Sequence, residues 1–106
     1  MNGRDDALKR LFVAIRAAGP AWNHALPMEQ QPEWDEHAAL MDTMVKEGFI
    51  VLGGPLEGPR HGALLVFRAH DESEILARLA DDPWTRNGLL VVDELRPWTI
   101  RLGSIA

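Results

Sequence analysis

The stretch Gly62-Ala63-Leu64-Leu65-Val66-Phe67-Arg68-Ala69 reads as a β-strand that is apolar on both of its sides. Successive side chains of a strand point to opposite faces. Ala63, Leu65 and Phe67 therefore share one face, and Leu64 and Val66 the other. Residues 89–95 repeat the pattern, with Leu89 and Val91 on one side and Leu90 and Val92 on the other. A sheet that is apolar on both faces needs cover on both.

Working outward, residues 11–16 (Leu-Phe-Val-Ala-Ile-Arg) read as a first strand that stops at Gly19-Pro20. Residues 49–52 read as a second, ended by Gly53-Gly54-Pro55, with 55–62 as a hairpin loop. A helix over residues 33–47 is signalled by Pro32 at its start and by Glu33, Asp35 and Glu36 in its first turn. Lys46 lies in its last turn and Gly48 just past its end. Its buried stripe is expected to be Trp34, Ala38, Met41 and Val45, with Met44 beside them. Asp71 with Glu74 resembles a capping box that opens a second helix through Ile75, Leu76 and Leu79, and Pro83 is expected to stop it. Beyond the last strand, Trp98, Ile100 and Leu102 alternate as an extension of it.

The order is βαββαβ, the α+β pattern of ferredoxin-like folds, in which both helices lie on one face of the sheet. The simplest cover for the other face is a second copy of the same sheet. A face-to-face homodimer follows as the expectation, two subunits forming a barrel-like sandwich.

A chain of 106 residues suits a single domain, 1–106, with the first ten residues expected as a mobile N-terminal tail. Hydrophobic residues make up 46% and charged residues 25%, enough apolar material for a core of its own. The net charge of −5 is spread over interspersed signs with no Lys/Arg-rich run, so no nucleic-acid footprint is visible. There are no cysteines, which excludes disulfides, thiolate metal sites and cysteine nucleophiles. The N-terminus has two acids and no apolar core, and no apolar run is long enough to span a bilayer. The expectation is a cytoplasmic protein with no membrane partner.

Residues 19–32, with prolines at 20, 27 and 32, form a loop that is long for so small a domain. Its Trp22, Leu26 and Met28 either close over a pocket or simply anchor the loop. On the helix that follows, His37 lies three residues after Trp34 and four before Met41, on or beside the stripe facing the sheet. A buried imidazole needs a hydrogen-bond partner. Asp82 is the candidate, because Pro83 biases it away from helical geometry and turns its side chain off the helix axis. A carboxylate bonded to one ring nitrogen fixes the tautomer and leaves the other nitrogen free, which makes a general acid or base. A histidine satisfied for structural reasons alone is the commoner outcome for such a pair.

Other candidates carry less. Backbone N–H groups of Gly53-Gly54, before Pro55, either hold an anion or belong to a plain tight turn. His24, His61 and His70 fall in loops or strand ends, and no two histidines have metal-motif spacing, so no metal is expected. No glycine pattern matches a phosphate or dinucleotide fingerprint, and no cofactor is expected. Ser73 and Ser104 have no base near them in sequence. Trp84 merits attention because it follows Asp82-Pro83 directly.

Several segments in order, namely His37 with Met41-Asp42, Glu47-Gly48-Phe49-Ile50-Val51-Leu52-Gly53-Gly54-Pro55-Leu56, Ala63-Leu64-Leu65-Val66 and Asp82-Pro83-Trp84, resemble the YCII-related family. The likeness spans roughly residues 11–102, nearly the whole chain by the one-domain estimate. The resemblance implies a ferredoxin-like subunit in a dimeric α/β barrel. It also implies an active site formed by a His and an Asp, which match His37 and Asp82. Asp81 does not match, since the family's Asp directly precedes the proline. A dehydrochlorinase relative, and muconolactone isomerases of similar architecture, imply cofactor-free proton chemistry on small cyclic substrates. On that reading the Gly53-Gly54-Pro55 turn with Trp22 or Trp84 is expected to shape the pocket. Two rivals remain: a small-molecule binding or regulatory module without turnover, and a cofactor-free oxygenase.

Overall fold

A computed structural model describes residues 8–105. Most of the expected N-terminal tail lies outside the described residues, and its last residue, Arg10, already belongs to a strand. The elements in chain order are β1 (Arg10–Ala18), a 3-10 turn (Met28–Gln30), α1 (Trp34–Lys46), β2 (Ile50–Leu56), β3 (Gly62–Ala69), α2 (Glu72–Leu79), α3 (Pro83–Arg86) and β4 (Leu90–Pro97). The strands form one antiparallel sheet in the order β2-β3-β1-β4, the ferredoxin-like arrangement, so the α+β reading holds.

The ends of α1 follow their signals. Asp35 and Glu36 load its first turn, Lys46 its last, and Gly48 takes φ 77 just beyond it. The helix begins at Trp34 and not at Glu33. Glu33 is the N-cap, held at φ 61, and its carboxylate accepts from the Asn87 side chain. At α2 the capping box is offset by one residue: Asp71 accepts from Glu74 N, while Glu74 reaches back to the backbone N–H of His70.

Four expectations need correction. Gly53-Gly54-Pro55 does not end β2; the strand runs through it to Leu56, with Gly53, Gly54 and Pro55 paired to Leu65, Leu64 and Ala63. Alternate backbone groups on an edge strand tolerate a proline, which explains how Pro55 fits. Pro83 does not stop α2, which has already ended at Leu79; it opens the extra helix α3, where a missing N–H does no harm. The Trp98–Leu102 alternation is not a strand, and Leu102 is 92% exposed. The stripe on α1 is rotated as well. Its buried residues are His37 and Met44, with Leu40 and Met41 packed against the core, whereas Val45 is half exposed.

The main core lies between the helices and one face of the sheet, where Phe12 and Ala14 of β1 meet Leu65 and Phe67 of β3 with Met44, Ile75 and Leu79. A second cluster, Ala18, Trp22, Trp84, Leu89 and Leu90, closes one end, and Met28 and Trp34 pack on it. The face without helices carries Val13 and Ile15 opposite Val66 and Leu64. On that face Leu52, Leu56 and Val91 stay 48%, 42% and 40% exposed. Among the described residues no helix is long and apolar enough to cross a membrane.

Candidate active site

The site is built where α1, β1 and the α2–α3 junction meet. Asp82 precedes a proline, so its backbone is extended (φ −76, ψ 124), and it serves as the N-cap of α3. Its Oδ1 accepts from the Trp84 backbone N–H at 3.0 Å. That cap turns the carboxylate back under α1, where His37 waits one turn into the helix. His37 Nδ1 stands 2.9 Å from Oδ1 and 3.0 Å from Oδ2 of Asp82. Asp82 is fully buried and His37 is 7% exposed. The two expected residues are thus brought together at hydrogen-bond distance.

A third charged residue joins them, one that the sequence reading passed over. Arg16 of β1 donates through Nη1 to Asp82 Oδ2 at 3.0 Å and through Nη2 to Thr85 Oγ1 at 2.6 Å, and it is 1% exposed. Its signal was strand alternation: Phe12, Ala14, Arg16 and Ala18 fall on the helix-facing side, so a cation stood among core residues. Arg16 Nε is buried without a partner.

Burial pushes the Asp82 carboxyl up, but the hydrogen bond and charge of His37, the Trp84 N–H and the Arg16 guanidinium together outweigh it. The carboxyl is held below its ordinary value. Burial lowers the Arg16 guanidinium, against the pull of Asp82. The carboxylate accepts at Nδ1, so Nδ1 carries the ring hydrogen of neutral His37, an assignment made from the bonding network. Nε2 then presents a lone pair, and no protein group among the described residues bonds it.

His37 faces a cavity of about 400 Å³. Its wall is made by Trp34, Ala38, Met41 and Val45 of α1, by Gly53, Gly54 and Pro55 of β2, and by Arg16, Met28, His61, Leu65 and Trp84. The helical stripe expected to be core is therefore largely pocket wall. Trp84 lies flat on His37, and Trp34 tilts against both rings. The Trp84 indole N–H donates to Pro32 O at 2.6 Å, which ties the 19–32 loop to the site. Met28 does reach the cavity. Trp22 does not line it; it is buried in the end cluster, 7% exposed, and lines a neighbouring depression with His24 and Leu26. Gln31 secures the loop by donating to the Asn23 and Leu26 carbonyls. His70 pairs with Glu74, and Asp81 is exposed at the helix end. Among the described residues no group of three His, Asp or Glu side chains is placed to hold a metal ion.

No curated protein sequence matches the chain. Among solved structures, 5-chloro-2-hydroxyhydroquinone dehydrochlorinase from Burkholderia phenoliruptrix AC1100, in complex with 2,5-dihydroxybenzoquinone, is similar with a TM-score of 0.57. The two are 23% identical over 84% of this chain and 93% of that one. At that identity the likeness is one of fold, and it agrees with the sheet order and helix placement described above. Residues 11–99 match the YCII-related domain, and the chain belongs to the YCII-related family.

Proposed function

We propose that the protein is a lyase- or isomerase-type enzyme that moves a proton on a small cyclic substrate with its own side chains. The observation that carries this reading is the state of His37: Nδ1 is pinned by a buried carboxylate, while Nε2 has no partner among the described residues and His37 lies on a cavity wall. In that role Nε2 takes a proton from a carbon or hydroxyl of the substrate. The imidazolium that forms is stabilised by Asp82, which Arg16 and the Trp84 N–H hold in place. Returning the proton to another atom completes an isomerisation; departure of a leaving group with its bonding electrons completes an elimination. The rings of Trp34 and Trp84 and the flat backbone of Gly53, Gly54 and Pro55 suit a planar ring. The similar structure belongs to a dehydrochlorinase and holds a quinone, which supports the same class of substrate.

The test is turnover of chlorinated hydroxyhydroquinones, followed as chloride release and by recovery of the ring compound. His37→Ala should lose roughly 10²–10⁴-fold in rate, with the fold retained by circular dichroism. Undiminished turnover in that variant ends the proposal. A ligand that binds and is recovered unchanged under all conditions favours a binding module instead.

The expected homodimer belongs to the same proposal. Leu52, Leu56 and Val91 leave the helix-free face partly open to solvent, and a second sheet would cover them. Leu52→Glu with Val91→Glu should halve the mass seen by light scattering; a wild type that is already monomeric refutes the dimer.

A further inference from the structure

His61 sits at the end of the hairpin before β3, in a position the dyad does not use. Its backbone is fixed, since Ala18 N donates to His61 O at 3.1 Å and the neighbouring Arg60 side chain bonds the Ala18 carbonyl at 3.2 Å. Its ring is fixed too, stacked on Trp22 with centroids 4.1 Å apart and planes 12° from parallel. Trp22 meets Trp84 edge-on at 5.4 Å, and Trp84 stacks on His37 at 3.8 Å. The two imidazoles are thus the terminal members of a run of four rings, and both line the same cavity.

Neither ring nitrogen of His61 has a protein partner among the described residues. Burial lowers its proton affinity, so at neutral pH the ring offers one N–H donor and one lone pair. That pairing suits a hydroxyl or a carbonyl better than a carboxylate. The wall that the two imidazoles share includes the apolar side chains of Ala63, Leu65 and Leu90. A ligand matched to this surface is polar at two separated positions and flat and apolar between them.

We propose that His61 is the second polar contact for the ligand of this cavity, and that the preferred ligand is a ring carrying hydroxyl or carbonyl groups at two positions, one facing His37 and one facing His61. The proposal rests on reading the cavity as the substrate site. His61 is then a specificity-determining residue, and its role differs from that of a ring that merely covers Trp22, because cover needs no nitrogen.

Calorimetric titration with hydroquinone and phenol separates these roles. The wild type should bind hydroquinone about tenfold more tightly than phenol, the scale of one further hydrogen bond. In His61→Phe, which keeps a ring against Trp22, that ratio should fall below about threefold. In His61→Gln, which restores a donor and an acceptor, it should recover in part. A ratio unchanged in His61→Phe, equal affinities in the wild type, or no measurable affinity for either probe overturns the proposal. The outcome is distinguishable from the catalytic reading. An unchanged ratio beside lost turnover in His37→Ala removes only the His61 contact; a collapsed ratio beside full turnover in His37→Ala removes only the dyad.

Discussion

The indole of Trp84 lies flat against the imidazole of His37, with ring centroids 3.8 Å apart and planes 10° from parallel. The same residue gives its backbone N–H to Asp82 and its indole N–H to Pro32. One residue thereby sets the ring and the loop through its indole and the carboxylate through its backbone. Because it is fully buried, Trp84→Ala should destabilise by about 3–5 kcal/mol in urea unfolding. Trp84→Phe keeps a ring face but loses the bond to Pro32, so its loss should be clearly smaller. Equal losses would show that the ring face contributes nothing beyond what the indole N–H supplies.

Arg16 and Asp82 form a buried ion pair, 1% and 0% exposed. Removing one partner of such a pair strands the other charge, which typically destabilises by about 3–5 kcal/mol. Arg16→Met should fall near the low end, since Asp82 keeps His37 and the Trp84 N–H. Combined with Asp82→Asn it should be markedly less than additive, because the second change removes the charge that the first one stranded. Strict additivity in a double-mutant cycle would deny the coupling.

The pH dependence follows from the sign of the Asp82 shift. Its folded value lies below the ordinary 3.8, so its ionised form contributes stability that is fully present above that value. The contribution fades as pH falls from about 4 through the lower folded value. The stability difference between wild type and Asp82→Asn should therefore shrink as the pH falls below about 4. A difference that widens on acidification would reverse the assignment.

Adjacent glycines in β2 should respond in opposite ways. A Cβ at Gly53 would lie 2.4 Å from Leu65 Cδ2 and 2.9 Å from Leu64 O, whereas one at Gly54 meets nothing within 4 Å. Gly53→Ala should destabilise by about 1–3 kcal/mol through overpacking, and Gly54→Ala should leave the thermal midpoint nearly unchanged. Similar midpoints for both variants would contradict the close approach of β2 to β3.

The order of elements and the pairing of His37 with Asp82 were legible because their signals are local. Two-sided apolar strands, the acids and Lys46 of α1, and the Asp82-Pro83 step each act within a few residues. What was missed depends on the third dimension. Gly53-Gly54-Pro55 looks like a turn in isolation, yet strand β3 alongside holds it extended. Periodicity locates an apolar stripe on α1 but does not say whether protein or empty space lies opposite it, so the pocket wall passed for core. Arg16 was legible in principle from alternation alone. His61 was not, because its importance lies in the ring of Trp22, 39 positions away in sequence.

Asp82 lies 66 residues from Arg16 and 45 from His37 along the chain. Closing loops of that length forfeits chain entropy before any contact repays it. The charged cluster is therefore assembled only once both ends of the sheet are in register, and no half of the chain contains it. A partly folded molecule would hold Asp82 and Arg16 apart, each solvated, and would lack the buried cluster altogether. Assembly of the charged cluster and folding of the sheet are in this protein the same event, so hydrogen exchange at the Trp84 amide should report on both.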